Sequence, residues 1–341
     1  SLTKCLDRSE SMDEQTSVEP CAACDVTPGR NRTLPVTKLR PPRPGPDDVI
    51  RTRLLQRIEE GVNGKLTLIV TPAGYGKSTL AGHWTRWTER PSCWLTLDES
   101  DNDFLVFLAN LVGAIQLVDP DICRQTEALL ISLNPPPTEQ LVYALLNDIA
   151  VSNRPFAIVL DDCHVIASPE VKHAVWQLID RLPPNIAMVI TSQAEPAIPT
   201  LRLTARGELV ELGPADLSFT EEESNAFLTE RQECSLDASE LHAVWRWSEG
   251  WPVALRLVSR HMRGRSPEQI RGLLASLPDN VPALGDYLWD EVLAYRSPEL
   301  RAFLLQTSIL SEVNPELAET VTQRPDTSEH LAEIGRDNLF L

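Results

Sequence analysis

Residues 66 to 79 read LTLIVTPAGYGKST, and this stretch decides the fold. The apolar run at its start predicts a buried strand, and the glycines after it predict a tight turn into a helix. Backbone N–H groups in such a turn, together with the positive end of the helix, form a cradle for phosphate. In this pattern the lysine reaches the β- and γ-phosphates and the next hydroxyl holds Mg²⁺. We predict these two roles for Lys77 and Ser78.

One position departs from the general pattern G-x-x-x-x-G-K-[ST], because Thr71 stands where the first glycine is expected. The alternative interpretation of the stretch is an ordinary strand-to-helix turn. A second acidic motif further along the chain would decide between the two.

Such a motif is present at residues 156 to 162, which read FAIVLDD. A short apolar run ending in two carboxylates predicts a buried parallel strand, and open α/β sheets bind ligands at that end of their strands. We predict that Asp161 holds Mg²⁺ through water or through Ser78, and that Asp162 orients or deprotonates the attacking water. An Asp pair alone is more often a turn or a helix cap. Its pairing with the loop favours a magnesium-nucleotide site.

Composition narrows the function classes. The chain has 31 basic and 49 acidic residues and a net charge of −18, which opposes binding of DNA by these residues. We expect no membrane span and no secretory signal, and therefore a cytoplasmic location. Seven scattered cysteines predict reduced thiols, Cys21 and Cys24 included. The six histidines show no ligand spacing, so we expect no metal other than Mg²⁺.

The organisation changes along the chain. Residues 1–36 are polar and predict a disordered tail. Strands and helices then alternate as far as Gly213, which predicts an α/β fold with a mostly parallel, doubly wound sheet. In the helix after the loop, Leu80, Ala81, Trp84 and Trp87 recur at helical spacing and predict the face that packs on the sheet. Beyond Gly213 the strands disappear and helix starts follow one another, which predicts an all-α region.

These motifs resemble the signal-transduction ATPases with numerous domains, and within them the MalT-like, LuxR-type large transcriptional activators. The resemblance covers most of residues 37–341, and the first glycine of the general loop is commonly missing in that family. The matching segments are TKLRPP (37–42), VIR (49–51), PAGYGKST (72–79), LDDCH (160–164), GWP (250–252), FLLQTSIL (303–310) and NLFL (338–341).

The resemblance implies a P-loop nucleotide-binding domain over 37–215, a helical domain over 216–296 and a winged-helix domain over 297–341. It implies ATP or ADP with Mg²⁺ bound between the first two. The implied nucleotide contacts are Arg51, Ala73, Gly74, Tyr75, Gly76, Lys77, Ser78, Thr79 and Pro252. The other implied roles are catalytic for Lys77 and Asp162, metal-binding for Ser78 and Asp161, and sensing for Gln193 and Arg206.

Position 193 departs from the family pattern. Members usually have an arginine there that senses the γ-phosphate, and this chain has Gln193. A neutral amide does not supply the charge that an arginine gives to the transition state. We therefore expect weak ATPase activity.

The resemblance implies a switch that self-associates in its ATP state. A small-molecule inducer or protein regulator and DNA would bind only through C-terminal domains expected beyond Leu341, the DNA through a helix-turn-helix. Two alternatives stay open from the residues. One is a stand-alone P-loop ATPase, in which Arg202 or Arg206 could serve as an arginine finger. The other is a nucleotide-binding scaffold that does not hydrolyse ATP.

Overall fold

The computed structural model describes residues 35–152, 154–196, 198–231, 236–275, 297–310, 313–324 and 326–336. The predicted disordered tail lies outside the described residues except for Pro35 and Val36, and so do Cys21, Cys24 and the NLFL segment at 338–341.

A five-stranded parallel sheet forms the first part of the described chain. Its strands are β1 (Leu66–Val70), β2 (Ser92–Thr96), β3 (Phe156–Asp161), β4 (Ile186–Ser192) and β5 (Leu209–Leu212). They lie in the order β2-β3-β4-β1-β5, and each neighbouring pair is parallel. The predicted parallel α/β fold is confirmed. Because the strands are parallel, the loop after β1 and the carboxylates at the end of β3 open on the same edge of the sheet, with the end of β4 between them.

Fifteen α-helices occur in the described residues. They are α1 (Thr52–Val62), α2 (Lys77–Trp87), α3 (Phe104–Val118), α4 (Arg124–Leu130), α5 (Thr138–Ser152), α6 (Pro169–Arg181), α7 (Thr200–Ala205), α8 (Pro214–Leu217), α9 (Glu221–Ala226), α10 (Ala238–Ser248), α11 (Pro252–Met262), α12 (Pro267–Ala275), α13 (Pro298–Thr307), α14 (Pro315–Thr322) and α15 (Thr327–Arg336). Among these described helices, none has the length and apolar character needed to span a membrane.

The sheet is buried on both faces, since every residue of β3 and β4 is buried. Val159 and Val189 pack on α1 and α2 in one apolar cluster, which also contains Trp84. The helical spacing predicted that Trp87 would lie on this packing face. That prediction is wrong, because 45% of the residue is exposed. It is the last residue of α2, where the chain turns into the extended backbone of Thr88.

Two further apolar clusters follow in the helical part of the chain. One joins Phe219, Phe227, Leu228, Val244, Leu255, Val258, Met262 and Ile270. The other joins Leu300, Phe303, Ala318 and Ile334 in α13, α14 and α15. Among the described residues beyond Gly213 only helices and turns occur, which confirms the predicted change from alternating elements for this part of the chain.

The turn between α10 and α11 is held against the segment that leaves the sheet. Gly250 has φ +72°, a conformation that favours glycine, and its carbonyl accepts a hydrogen bond of 2.8 Å from the N–H of Phe219. A Cβ atom at this position would overlap the carbonyl oxygen of Phe219. The glycine therefore fixes where α11 begins relative to the sheet.

We predict that Gly250→Ala lowers the free energy of unfolding by about 2 kcal/mol, because it adds both backbone strain and an overlap with Phe219. Chemical denaturation measures this loss. Gly272→Ala is the matched control, since Gly272 lies inside α12 with no atom within 4 Å of the added Cβ. We expect the control to be neutral or to stabilise by up to about 1 kcal/mol. An equal loss in both variants would contradict the assignment.

Candidate nucleotide-binding site

The loop after β1 has the backbone that a phosphate cradle requires. Gly74 and Gly76 have φ values of +82° and +79°. Both lie in the left-handed region, which glycine adopts without steric cost. Gly76 is also the N-cap of α2, so the helix begins at Lys77. An anion at this point would meet the unpaired N–H groups and the positive end of the helix.

Lys77 is folded back onto this loop. Its Nζ donates to the carbonyl oxygen of Thr71 at 2.8 Å and to that of Pro72 at 3.0 Å. The residue is 6% exposed, and burial lowers the pKa of its ammonium to about 8, although Asp162 and Asp161 oppose the shift. A phosphate group would favour the charged form more strongly than two neutral carbonyl oxygens do. The geometry fits a lysine whose ammonium would leave the two loop carbonyl oxygens and bind a phosphate group in their place.

Asp161 connects α2 with the ends of β3 and β4. Its Oδ1 accepts hydrogen bonds from the Ser78 hydroxyl at 2.7 Å and from the Thr191 hydroxyl at 2.6 Å. Only 3% of the residue is exposed, and the pKa of its carboxyl is raised by burial and then by the charge of Asp162. A hydroxyl and a carboxylate oxygen in contact form the hard oxygen donor set that Mg²⁺ prefers. Ser78 and Asp161 are brought together as the sequence predicted.

Asp162 lines the cavity in front of this pair. Its φ is +59°, a left-handed conformation that aspartate tolerates better than most residues. Its backbone N–H donates to the Thr191 hydroxyl at 3.0 Å, and burial raises the pKa of its carboxyl. Thr191 therefore positions both acids. Sequence reasoning missed this role, and the only signal was a hydroxyl residue near the carboxyl end of the neighbouring strand.

A cavity of about 370 Å³ lies over the loop, which is a size suited to a small-molecule ligand. It brings together the loop, Asp162, Gln193, Arg51 and Pro252 from distant parts of the sequence. Its lining residues are Asp47, Asp48, Val49, Arg51, Ala73, Gly74, Tyr75, Gly76, Lys77, Ser78, Thr79, His83, Asp162, Gln193, Phe219, Phe227, Pro252, Val253 and Arg256.

Arg206 is not among the lining residues. It is exposed at the end of α7, and its Nη1 lies 4.0 Å from the Glu208 carboxylate. The structure therefore does not bring the second predicted sensor to the cavity, whereas it does bring Gln193.

Arg51 is a buried cation in the cavity wall, with 5% of the residue exposed. Its Nη1 donates to the carbonyl oxygen of Leu217 at 2.7 Å, and its Cζ lies 5.3 Å from the centre of the Phe219 ring. Burial lowers the pKa of the guanidinium to about 10. Arg51 thus ties the start of α1 to the segment that joins the sheet to the helical part.

The helical part also contacts the loop directly. Trp251 Nε1 donates to the carbonyl oxygen of Ala73 at 3.3 Å, and its ring centre lies 6.3 Å from that of Tyr75. Pro252, the first residue of α11, lines the cavity next to it. Trp251 therefore makes a polar contact with the loop in addition to its ring contact with Tyr75.

A third contact between the sheet part and the helical part lies at one end of the cavity. Asp48 Oδ2 accepts from the Gly45 N–H at 2.8 Å and lies 3.1 Å from His83 Nε2. Its Oδ1 lies 3.7 Å from Arg256 Nη2 on α11. Sequence reasoning missed this group, because its members are 35 and 173 residues apart in the chain.

We predict that Thr191→Val destabilises the chain by about 1 to 3 kcal/mol, because it leaves a buried carboxylate and an N–H without this partner. It should also weaken nucleotide binding in Mg²⁺ more than in EDTA, since Asp161 loses its position. Titration calorimetry under both conditions checks this. Thr67→Val is the matched control, since the Thr67 hydroxyl on β1 is buried without a hydrogen-bond partner. Equal Mg²⁺ dependence in Thr191→Val and the parent chain would contradict the role.

Sequence comparison finds relatives among bacterial transcriptional regulators. The chain is 32% identical over 295 residues to the HTH-type transcriptional regulator MalT of Serratia proteamaculans (strain 568), which is 86% of this chain and 32% of the relative. It is 33% identical over 295 residues to that of Yersinia pestis (strain Pestoides F), with the same coverage. The chain thus spans about a third of the length of the curated relatives it matches. Residues 289–341 match the family model of the MalT winged helix domain.

Structure comparison agrees on the fold. A Walker-type ATPase of Pyrococcus abyssi aligns with a TM-score of 0.57 and 17% identity, over 87% of this chain and 92% of that one. At that identity the likeness shows the fold alone. The resemblance predicted from the motifs is confirmed, and so is the fold class. The family match at residues 289–341 agrees with the predicted winged helix near the end of the chain.

Proposed function

We propose that this chain, which is related to the MalT-like transcriptional regulators, is the nucleotide-binding module of a cytoplasmic regulator of that kind. One observation carries the proposal. A single cavity combines the phosphate loop, an acid at the end of β3 and the first residue of α11. Its proposed ligands are ATP and ADP with Mg²⁺, since nucleotide phosphates suit the loop and the divalent cation suits Ser78 with Asp161.

The domain limits are part of this proposal. We assign the nucleotide-binding domain to 37–215, the helical domain to 216–296 and the winged-helix domain to 297–341. The separate apolar clusters support this division, although Leu217 packs in the cluster of the sheet. The winged-helix family match supports the last assignment, although it begins at residue 289, inside the segment that we assign to the helical domain.

Each side chain then has a defined task. The loop between Ala73 and Thr79 binds the phosphates, and Lys77 leaves the Thr71 and Pro72 carbonyls to meet them. Bound Mg²⁺ would neutralise phosphate charge. Ser78 and Asp161 would hold it, and Thr191 would keep Asp161 in place. Asp162 would orient the attacking water, and Pro252 would pack against the base.

The shared cavity supplies the physical basis of a switch. A ligand shifts a conformational equilibrium only when it contacts the two states differently. Arg51, Trp251 and Arg256 connect the sheet to the helical part around the cavity, so exchange of ADP for ATP would change contacts on both sides. We propose that ADP favours a form closed by the winged helix and that ATP favours self-association. An inducer or protein regulator and DNA would act through other domains of the longer protein.

Nucleotide binding and assembly state test this proposal together. We expect the chain to bind ATP and ADP by titration calorimetry, and to sediment as a larger species with ATP than with ADP. Lys77→Ala should weaken binding by about 10- to 100-fold, the loss of a buried charge-assisted contact. Lys172→Ala, which removes an exposed lysine on α6, should bind normally. Equal affinity in both variants would contradict the site, and equal sedimentation with both nucleotides would contradict the switch.

Hydrolysis tests the role of position 193. We predict slow turnover in the parent chain and an increase of roughly 10- to 100-fold in kcat for Gln193→Arg, because the added charge would stabilise the transition state. Gln140→Arg, at an exposed position of α5, adds the same charge elsewhere and should leave kcat unchanged. A parent chain as fast as an arginine-containing ATPase, with no gain in Gln193→Arg, would show the idea to be wrong. Tight binding with no turnover in either variant would favour the scaffold alternative.

A further inference from the structure

The cavity over the loop has two chemically different ends. At one end it is lined by Lys77, Ser78 and Asp162, so this end suits the phosphates. His83 also lines the cavity, and it follows Thr79 by four residues, so the two lie on the same side of α2. The step from Lys77 to His83 corresponds to about 9 Å along the helix axis. A nucleotide with its phosphates on the loop would therefore direct its base toward His83.

The walls near His83 include apolar side chains. Val49 and Val253 line the cavity, and Val49 packs against the apolar cluster that contains Phe227. Phe227 itself lines the cavity and is buried, and its ring lies edge-on to that of Phe219. Apolar walls suit the flat faces of a base, and a few polar groups at fixed positions then decide which base binds.

Asp48 is a carboxylate held in place beside these apolar groups. Its Oδ2 accepts a hydrogen bond of 2.8 Å from the N–H of Gly45 and lies 3.1 Å from Nε2 of His83. A carboxylate has only acceptors, so His83 Nε2 is the donor of the second bond. These two bonds occupy both lone pairs of Oδ2 and fix the orientation of the carboxylate.

The other oxygen of Asp48 still has the capacity to accept. Nη2 of Arg256 lies 3.7 Å from Oδ1, which is within reach of an ion pair but longer than a hydrogen bond. Within the described part of the chain, no hydrogen bond ends on Oδ1. The guanidinium balances the charge of the carboxylate, so an uncharged base can bind there without leaving the charge uncompensated.

We propose that Oδ1 of Asp48 accepts a hydrogen bond from the 6-amino group of adenine and thereby makes the site select adenine nucleotides. The inference rests on nucleotide binding in the proposed function and names the residue that reads the base. Adenine has a donor at this position, whereas guanine has a carbonyl oxygen. A carboxylate oxygen facing that carbonyl would place two acceptors against each other and leave both without a partner.

The bonds to Oδ2 decide between adenine and the other edge of guanine. Guanine also carries two neighbouring donors, the ring N1–H and the 2-amino group, and a carboxylate binds such a pair through both of its oxygens. In this chain Gly45 and His83 already occupy Oδ2, so only Oδ1 is open to a base. A single acceptor suits the single 6-amino group of adenine.

The test compares ATP with inosine triphosphate (ITP), in which a carbonyl replaces the 6-amino group. Titration calorimetry in Mg²⁺ measures both affinities for the 341-residue chain. We expect ATP to bind roughly tenfold more tightly than ITP or better, because a site built to accept from an amino group rejects an analogue that lacks it.

Asp48→Asn should invert this preference. The amide oxygen must take the place of Oδ2, because the N–H of Gly45 and His83 both donate there. The amide nitrogen then takes the place of Oδ1 and presents a donor to the base, which favours the carbonyl of ITP over the amino group of ATP. Asp121→Asn is the matched control, at an exposed position that does not line the cavity. It should keep the preference of the parent chain.

His83 is a positioning residue in this scheme, because it acts on the base through Asp48. His83→Ala should bring the ratio of ATP to ITP affinity toward one. His83→Gln should keep most of the ratio, since the side-chain amide nitrogen of glutamine can still donate to Oδ2. Both nucleotides meet the same folded variant, so the ratio does not depend on a change in stability. A merely structural role of His83 would weaken both nucleotides equally in His83→Ala and leave the ratio unchanged.

The other results overturn the inference in distinguishable ways. Equal affinity of the parent chain for ATP and ITP would overturn it and leave the nucleotide site standing. So would an Asp48→Asn variant that keeps the parent ratio or loses affinity for both nucleotides equally. Tighter binding of GTP than of ATP by the parent chain would overturn the choice of adenine. A parent chain that binds none of the three nucleotides would overturn the proposed function instead.

Discussion

The carboxylate of Asp161 holds the site together. It accepts from Ser78 on the helix after β1 and from Thr191 near the end of β4, so one buried oxygen joins the ends of three parallel strands. The strand order makes this contact possible, because β4 lies between the other two. A buried carboxylate is costly unless it is hydrogen-bonded, and the Ser78 and Thr191 hydroxyls satisfy this one. The Thr191 hydroxyl also accepts a hydrogen bond from the backbone N–H of Asp162.

The second constraint is the closure of the helical part over the loop. Arg51 donates a hydrogen bond to Leu217, Phe219 donates one to Gly250, and Trp251 donates one to Ala73. These hydrogen bonds connect the sheet part and the helical part around the cavity. In each of these hydrogen bonds the acceptor is a backbone carbonyl. The bond therefore depends on the path of the chain and not on the side chain of the accepting residue. In the proposed function, this arrangement would let a nucleotide at the loop change the position of α11.

Sequence reasoning identified the main parts of the site because they are local patterns. The glycines before Lys77 and the two acids after an apolar strand can each be recognised from a few neighbouring residues. The resemblance supplied Arg51 and Pro252, which no local pattern would have assigned, and the structure brings both to the cavity. It also supplied Arg206, which the structure leaves exposed beside Glu208. Trp87 shows the limit of periodicity, since helical spacing does not reveal where the packed face ends.

The sequence by itself determined the parallel α/β fold, the glycine-containing loop before Lys77, the paired acids and the change to helices after Gly213. These features follow from hydrophobic period and from glycine and carboxylate chemistry, which act over short stretches of chain. Only the tertiary structure decided that Thr191 positions both acids, that Trp251 contacts the loop, and that Asp48, His83 and Arg256 meet at one end of the cavity. The physical reason is that these contacts join residues 29 to 208 positions apart, and strand order and helix packing alone bring such residues within hydrogen-bond or ion-pair reach.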